Sequence, residues 1–316
     1  MSTRTIVGAV AISGAAMAAG ACGSSSSGGG GLSCAADGVC QPACANDPDC
    51  AGDTGAAGST SSGGATGTPG VGTEVNMLLL LDRSGSMADQ PPGYTVDKLT
   101  ALHQALTPAL TGAQDRINFG LRFFPYDSRC GVEPLHEADR IVATIGGGAD
   151  HVTVILMELS IESPEGGTPT SAALAEAYQY FTAEAGTSLV GNRFVLLVTD
   201  GAPTCNTNLS CDVTTCTLNM ESVVGCPRDG ANCCAGNPEG CLDDQETIAQ
   251  IQRLADSGIS TIVVGIPGSE YYADSLTAFA QAGGFEASGG GYYDVPASGG
   301  VEALTDTLQT IMAEVL

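Results

Sequence analysis

Two apolar runs, each stopping at an aspartate, constrain this chain more than any other feature. Val75 to Leu81 (VNMLLLL) runs straight into Asp82, and Arg193 to Thr199 (RFVLLVT) into Asp200. Runs this apolar are what strands need when helices cover both faces of a parallel sheet. Around them the pattern changes period. Leu99, Leu102, Leu106 and Leu110 recur at helical spacing, with Pro108 expected to kink or shorten that helix. Ile117–Phe124 reads as a strand and Arg140–Ile145 as a shorter one. His151–Ile161 is ambiguous: its letters favour strand, yet Val152, Ile155, Leu156 and Leu159 share one helical face. Thr168-Pro169-Thr170 reads as the cap and first turn of a helix over Ser171–Phe181.

Further on, Ile248, Ile251, Leu254 and Ala255 mark a helix that Gly258 can end. Ser260–Ile266 reads as a strand, Ala273–Ala282 as a helix and Tyr292–Val295 as a short strand. A last helix carries Val301, Leu304, Leu308, Ile311, Met312 and Val315. Strands alternating with helices predict an α/β fold, doubly wound, with a mainly parallel sheet and helices on both faces. Such sheets bind ligands beyond the carboxyl ends of the strands, where the strand order reverses. The residues that follow the two apolar runs are therefore the first candidates for a site.

Those residues are Asp82-Arg83-Ser84-Gly85-Ser86-Met87 and Thr199-Asp200-Gly201, with Gly166-Gly167-Thr168-Pro169-Thr170 opening a helix between them. Singly, each piece has an ordinary reading: a turn after a strand, an N-cap, a second turn. Together they bring two carboxylates and three hydroxyls to one rim. Hard oxygen donors of low total charge suit magnesium, and the absence of Cys and His from the set argues against zinc. The arrangement resembles the von Willebrand factor A (VWA) domain and its metal-ion-dependent adhesion site. The D-x-S-x-S signature falls on Asp82, Ser84 and Ser86, the separate threonine on Thr168, and the second aspartate on Asp200. The resemblance covers residues 74–316, less an insertion at 202–242. It implies a Mg²⁺ site (Mn²⁺ or Ca²⁺ as alternatives) whose serines and threonine touch the metal, whose aspartates act partly through water, and whose open position takes an Asp or Glu of a protein partner. Arg83 is expected either to steady that carboxylate or to be an exposed loop residue. In integrin-type relatives the last helix moves as the site rearranges. With this sequence ending at Leu316, metal and ligand are expected to drive any switch themselves.

Charge fits that reading. With 35 acidic against 10 basic residues, a net of −25, the chain has nothing to neutralise a run of phosphates or to seek an anionic membrane. Residues 74–316 alone carry 31 acidic and 9 basic side chains. A bound divalent cation would bridge such a surface to an acidic partner. Rival readings are a structural envelope protein whose metal only stabilises the fold, and a metal-dependent phosphohydrolase with Asp82 as nucleophile. The latter needs a second aspartate two residues on, where Ser84 stands. His103, His136 and His151 are scattered, no phosphate-binding loop is present, and Lys98 is the sole lysine. The expectation is a binding protein, not an enzyme.

Thirteen cysteines point to an oxidising compartment. Residues 1–21 have a positive end, an apolar centre and small residues at the exit, as export signals do. Ala19-Gly20-Ala21-Cys22 resembles the bacterial lipobox, which implies a lipid anchor on Cys22, with plain secretion as the alternative. Residues 22–33 form a Ser/Gly tether. Gly23 after that cysteine, again by resemblance, favours an outer-membrane or cell-surface lipoprotein over inner-membrane retention; a periplasmic or secreted protein is the alternative. Cys34, Cys40, Cys44 and Cys50 make a small disulfide module over 34–50, where Asp37, Asn46, Asp47 and Asp49 are candidate Ca²⁺ ligands or simply turn formers. Residues 51–73 are a second, Gly/Ser/Thr-rich linker. The main domain holds eight more: Cys130, Cys205, Cys211, Cys216, Cys226, Cys233, Cys234 and Cys241, read as disulfides. Cys130 and Cys205 both follow strands at one rim and are expected to pair. The insertion begins close to Asp200, so it is expected to overhang the site, as a determinant of partner choice or as a rigid cover.

Overall fold

The computed structural model describes residues 74–132, 143–212, 216–217 and 238–316, all within the compact unit Pro69–Leu316. The signal, the tether, Cys22, the module of Cys34, Cys40, Cys44 and Cys50 with its Ca²⁺ candidates, the linker, His136, and Cys226, Cys233 and Cys234 lie outside the described residues.

Seven strands form one sheet: β1 (Val75–Asp82), β2 (Ile117–Phe124), β3 (Ala143–Gly146), β4 (Asn192–Thr199), β5 (Ile259–Gly265), β6 (Gly284–Phe285) and β7 (Tyr293–Asp294). The order is β3-β2-β1-β4-β5-β6, with β7 also paired to β5, and every pairing is parallel except β2 with β3. All eight residues of β1 are buried. Their alternation feeds two cores: Met77, Leu79 and Leu81 pack on one face, Leu78 and Leu80 on the other. Helices α1 (Lys98–Ala113), α2 (Ala149–Ile161) and α6 (Gly300–Glu314) cover the first face. The second face is covered by α3 (Thr170–Ala183), α4 (Asp244–Asp256) and α5 (Ala273–Gly283). This is a doubly wound α/β fold, and its strand order reverses between β1 and β4.

Several elements depart from the sequence expectation. Helix α1 is not shortened at Pro108 but runs on to Ala113. Pro108 and Gln104 both face solvent, so the carbonyl that loses its donor is open to water. The ambiguous 151–161 segment is helical, burying Val152, Ile155 and Leu159. The strand expected from Arg140 occupies Ala143–Gly146 among the described residues. Thr168 does not cap α3: Pro169 holds the N-cap position and makes no side-chain cap bond. A two-residue strand, β6, had no signal, because so short a segment shows no periodicity.

Candidate metal centre

The site is built where β1 and β4 end side by side. Leu81 pairs with Val198, which sets Asp82 level with Thr199 and Asp200 one residue beyond. The Thr199 hydroxyl donates to Asp82 Oδ2 at 2.6 Å, and the backbone N–H of Ser84 donates to Asp82 Oδ1 at 2.7 Å. After β1 the chain tightens into a single 3₁₀ turn over Gly85–Ala88 that buries Ser86 and Met87. That turn aims Ser86 at the neighbouring strand: its hydroxyl donates to Asp200 Oδ1 at 2.8 Å and lies 3.1 Å from Ser84 Oγ. Asp82, Ser84, Ser86 and Asp200 therefore join one network. Thr168 sits in the adjoining loop, which is bound to the turn by the Gly85 N–H donating to the Gly166 carbonyl at 2.9 Å. None of the five is more than 1% exposed.

Burial is costly for two neighbouring carboxylates, and they meet it differently. Asp200 has a cation: Lys98 Nζ lies 2.5 Å from its Oδ2, and Lys98 itself is only 4% exposed. Asp82 has only neutral donors in its hydrogen bonds. Desolvation, then the nearby charge of Asp200, push its carboxyl up to about 7, against the lowering effect of the Thr199 and Ser84 hydrogen bonds. With both aspartates ionised, two negative charges share one positive one, which leaves a net negative charge out of water.

The loops around the network are fixed by the Cys130–Cys205 disulfide, which the sequence reading expected, and by other contacts that it missed. Arg83 is neither an exposed loop residue nor a free ligand for a carboxylate. It is 6% exposed, and its guanidinium donates to the carbonyls of Pro125, Tyr126 and Ser163 and to Glu165 Oε1. Its fork of donors is thus spent on clamping the segment that leads to Thr168. Gly166 has φ +80°, and a Cβ on Gly167 would lie 2.6 Å from Cys205 Sγ, so each needs glycine for its own reason. That sulfur belongs to the Cys130–Cys205 disulfide. The Thr168 N–H donates to Thr204 Oγ1 at 3.0 Å, and the Thr204 N–H donates back to the Thr168 carbonyl at 2.8 Å.

The start of the insertion is also bonded to its end. The Cys205 N–H donates to the Glu239 carbonyl and the Asp243 N–H to the Pro203 carbonyl; Cys211 is bridged to Cys241, and Cys216 is also disulfide-bonded. Asp243 takes hydrogen bonds from Ser171 Oγ (2.5 Å) and Asn206 Nδ2 (2.8 Å), while its burial raises its pKa. Beside this knot a cleft of about 510 Å³ is lined by Pro169, Ser171, Thr204, Asn206, Asn208 and Gln250, among others. His151, by contrast, is a packing residue whose Nε2 bonds the Phe119 carbonyl.

No family model and no curated protein matches the sequence. Among solved structures, the PilB minor pilin of Streptococcus sanguinis is similar over 78% of this chain and 63% of its own, at 15% identity and a TM-score of 0.53. The pilus adhesin SpaC of Lactobacillus rhamnosus GG is similar over 78% of this chain but 31% of its own, at 17% identity and a TM-score of 0.50. The vWF domain of the type V pili tip protein Mfa5 from Porphyromonas gingivalis gives 14% identity, a TM-score of 0.49, and coverage of 78% and 97%. The chain thus spans about a third of SpaC and under two thirds of PilB. At these identities the likeness to PilB and SpaC is one of fold.

Proposed function

We propose that this chain is an exported, cell-envelope VWA-type binding protein that holds a partner's Asp or Glu through a divalent cation. The observation that carries the reading is the pair of buried strand-end carboxylates, Asp82 and Asp200, only the second of which is paired with an ammonium. Asp82, Ser84, Ser86, Thr168 and Asp200 would hold the ion. Their donors are all hard oxygens, which fits Mg²⁺ and, with less geometric demand, Mn²⁺ or Ca²⁺. When bound, the ion supplies positive charge and an open position for an incoming carboxylate. The chain's residues do the rest: Thr199 and Ser84 orient Asp82, Ser86 and Lys98 orient Asp200, and Arg83 and the Cys130–Cys205 bridge hold the Thr168 loop. The disulfides fit an exported protein. The pilus adhesin and minor pilin folds fit surface display, with Cys22 as the proposed lipid anchor. The cleft at the base of the insertion would add contacts that choose the partner.

A second reading, a structural envelope protein with a fold-stabilising metal, is favoured by the complete burial of all five donors. One experiment separates them. Immobilised protein is offered cell-envelope extract in Mg²⁺ and in EDTA, with Asp82→Ala as control, while calorimetry follows unfolding under the same conditions. Adhesion requires a captured protein that both EDTA and Asp82→Ala release. Metal stabilisation without such capture supports the structural reading. Capture unaffected by EDTA would overturn the adhesion reading.

A further inference from the structure

The chain has a single lysine, and it is buried at the candidate metal centre. Lys98 is the first residue of α1, and its ammonium lies 2.5 Å from Asp200 Oδ2 with 4% of the residue exposed. Two physical terms oppose that placement. An ammonium loses its hydration on burial, and a cation in the first turn of a helix is repelled by the positive end of the helix dipole. The helix does not need it, since Asp97 already caps α1 by accepting from the Thr100 N–H at 2.8 Å. The ion pair with Asp200 offsets both terms.

We propose that Lys98 is a tethered counter-ion that weakens divalent binding in order to leave the loaded site net positive. The proposal rests on the adhesion reading above. With Lys98 present, the two carboxylates and a divalent ion leave one net positive charge at the rim. Without it they leave none. In a chain of net charge −25, that one charge favours an incoming carboxylate over repulsion by the rest of the surface. Lys98 therefore acts in opposite directions on the two ligands. It repels the metal and, once the metal is bound, attracts the anion. A lysine that merely packed under the loop would shift both affinities the same way or neither.

The test uses the full chain, with Mn²⁺ as the metal probe and acetate as the carboxylate probe, in wild type, Lys98→Met and Lys98→Arg. Lys98→Met keeps the aliphatic stem and is expected to bind Mn²⁺ at least about tenfold more tightly, the equivalent of roughly 1.4 kcal/mol. The Mn²⁺-loaded variant is expected to bind acetate more weakly than loaded wild type, and Lys98→Arg is expected to keep both wild-type affinities. If Lys98→Met unfolds without metal, the Mn²⁺ concentration that restores its circular dichroism, corrected for the free energy of folding the metal-free variant, gives the same comparison. Equal or weaker Mn²⁺ binding by folded Lys98→Met, with wild type binding normally, overturns the counter-ion role and leaves the adhesion reading standing. Failure of all three proteins to bind Mn²⁺ overturns both.

Discussion

The ends of β1 and β4 lie side by side, equally sealed from water; β1 closes on Asp82, and Asp200 directly follows β4. Asp200 is met by an ammonium and a hydroxyl; Asp82 is met by a hydroxyl and a backbone N–H. Two good hydrogen bonds from neutral donors do not offset full desolvation beside a second carboxylate, so Asp82 is pushed up to about 7. The ion pair at β4 makes that end complete by itself. At the β1 end no ion pair meets the carboxylate among the described residues, and it holds its proton more tightly instead.

The largest expected effect comes from removing the completed charge. Asp200→Asn strands Lys98 as a buried, unpaired ammonium and is expected to cost about 3–5 kcal/mol, measured by urea unfolding. Asp82→Asn is expected instead to stabilise the metal-free protein at pH 7, because it replaces a carboxyl whose proton the fold must take up well above the pH at which the unfolded chain has lost it. Equal losses for the two variants would break the contrast between the strand ends. Next in size is the metal itself. Mg²⁺ at one hundred times its Kd is expected to stabilise wild type by about 2.7 kcal/mol and to leave both variants unmoved. A wild-type Tm indifferent to EDTA would remove the ion from the account.

Removing the Asp82 donor comes third. Thr199→Val takes away the hydroxyl on Oδ2 and is expected to cost about 1.5–3 kcal/mol at pH 8, where Asp82 is ionised, and less at pH 5. The metal-free protein should also show a pH dependence of at least that size. Asp82 holds its proton in the fold up to about 7 but loses it near 3.8 when unfolded, so the fold carries the extra proton between those values. Stability should therefore fall as pH rises from about 4 through about 7 and then level off. Asp243 and Glu162, also raised by burial, add slopes of the same sign, so the Asp82 share is the difference between wild type and Asp82→Asn. Saturating Mg²⁺ should flatten that difference. An unchanged slope in Asp82→Asn would show that the proton is held elsewhere.

Much of this was legible in the order of residues. Val75–Leu81 and Arg193–Thr199 can be satisfied only between two helix layers, and a strand buried on both faces must deliver its next residue to the rim. Asp82 and Asp200 were therefore placed as soon as the runs were seen, and Ser84 and Ser86 followed by their spacing from Asp82. The reach of α1 past Pro108 was not legible, because it depends on which side of the helix meets water. Arg83 was misread for a related reason. Three of its partners are carbonyls from 42 to 80 residues away, and carbonyls leave no mark in a sequence.

The sequence by itself determined the layering, the rim and the oxygen donors, because these follow from hydrophobic period and local spacing. Only the tertiary structure decided how charge is shared there. It carried the sole lysine, 102 residues from Asp200 along the chain, into contact with that carboxylate and not with Asp82. Electrostatic pairing depends on distance and burial in space. Two aspartates that look alike in sequence thus became one residue paired with an ammonium and one met, among the described residues, by neutral donors alone.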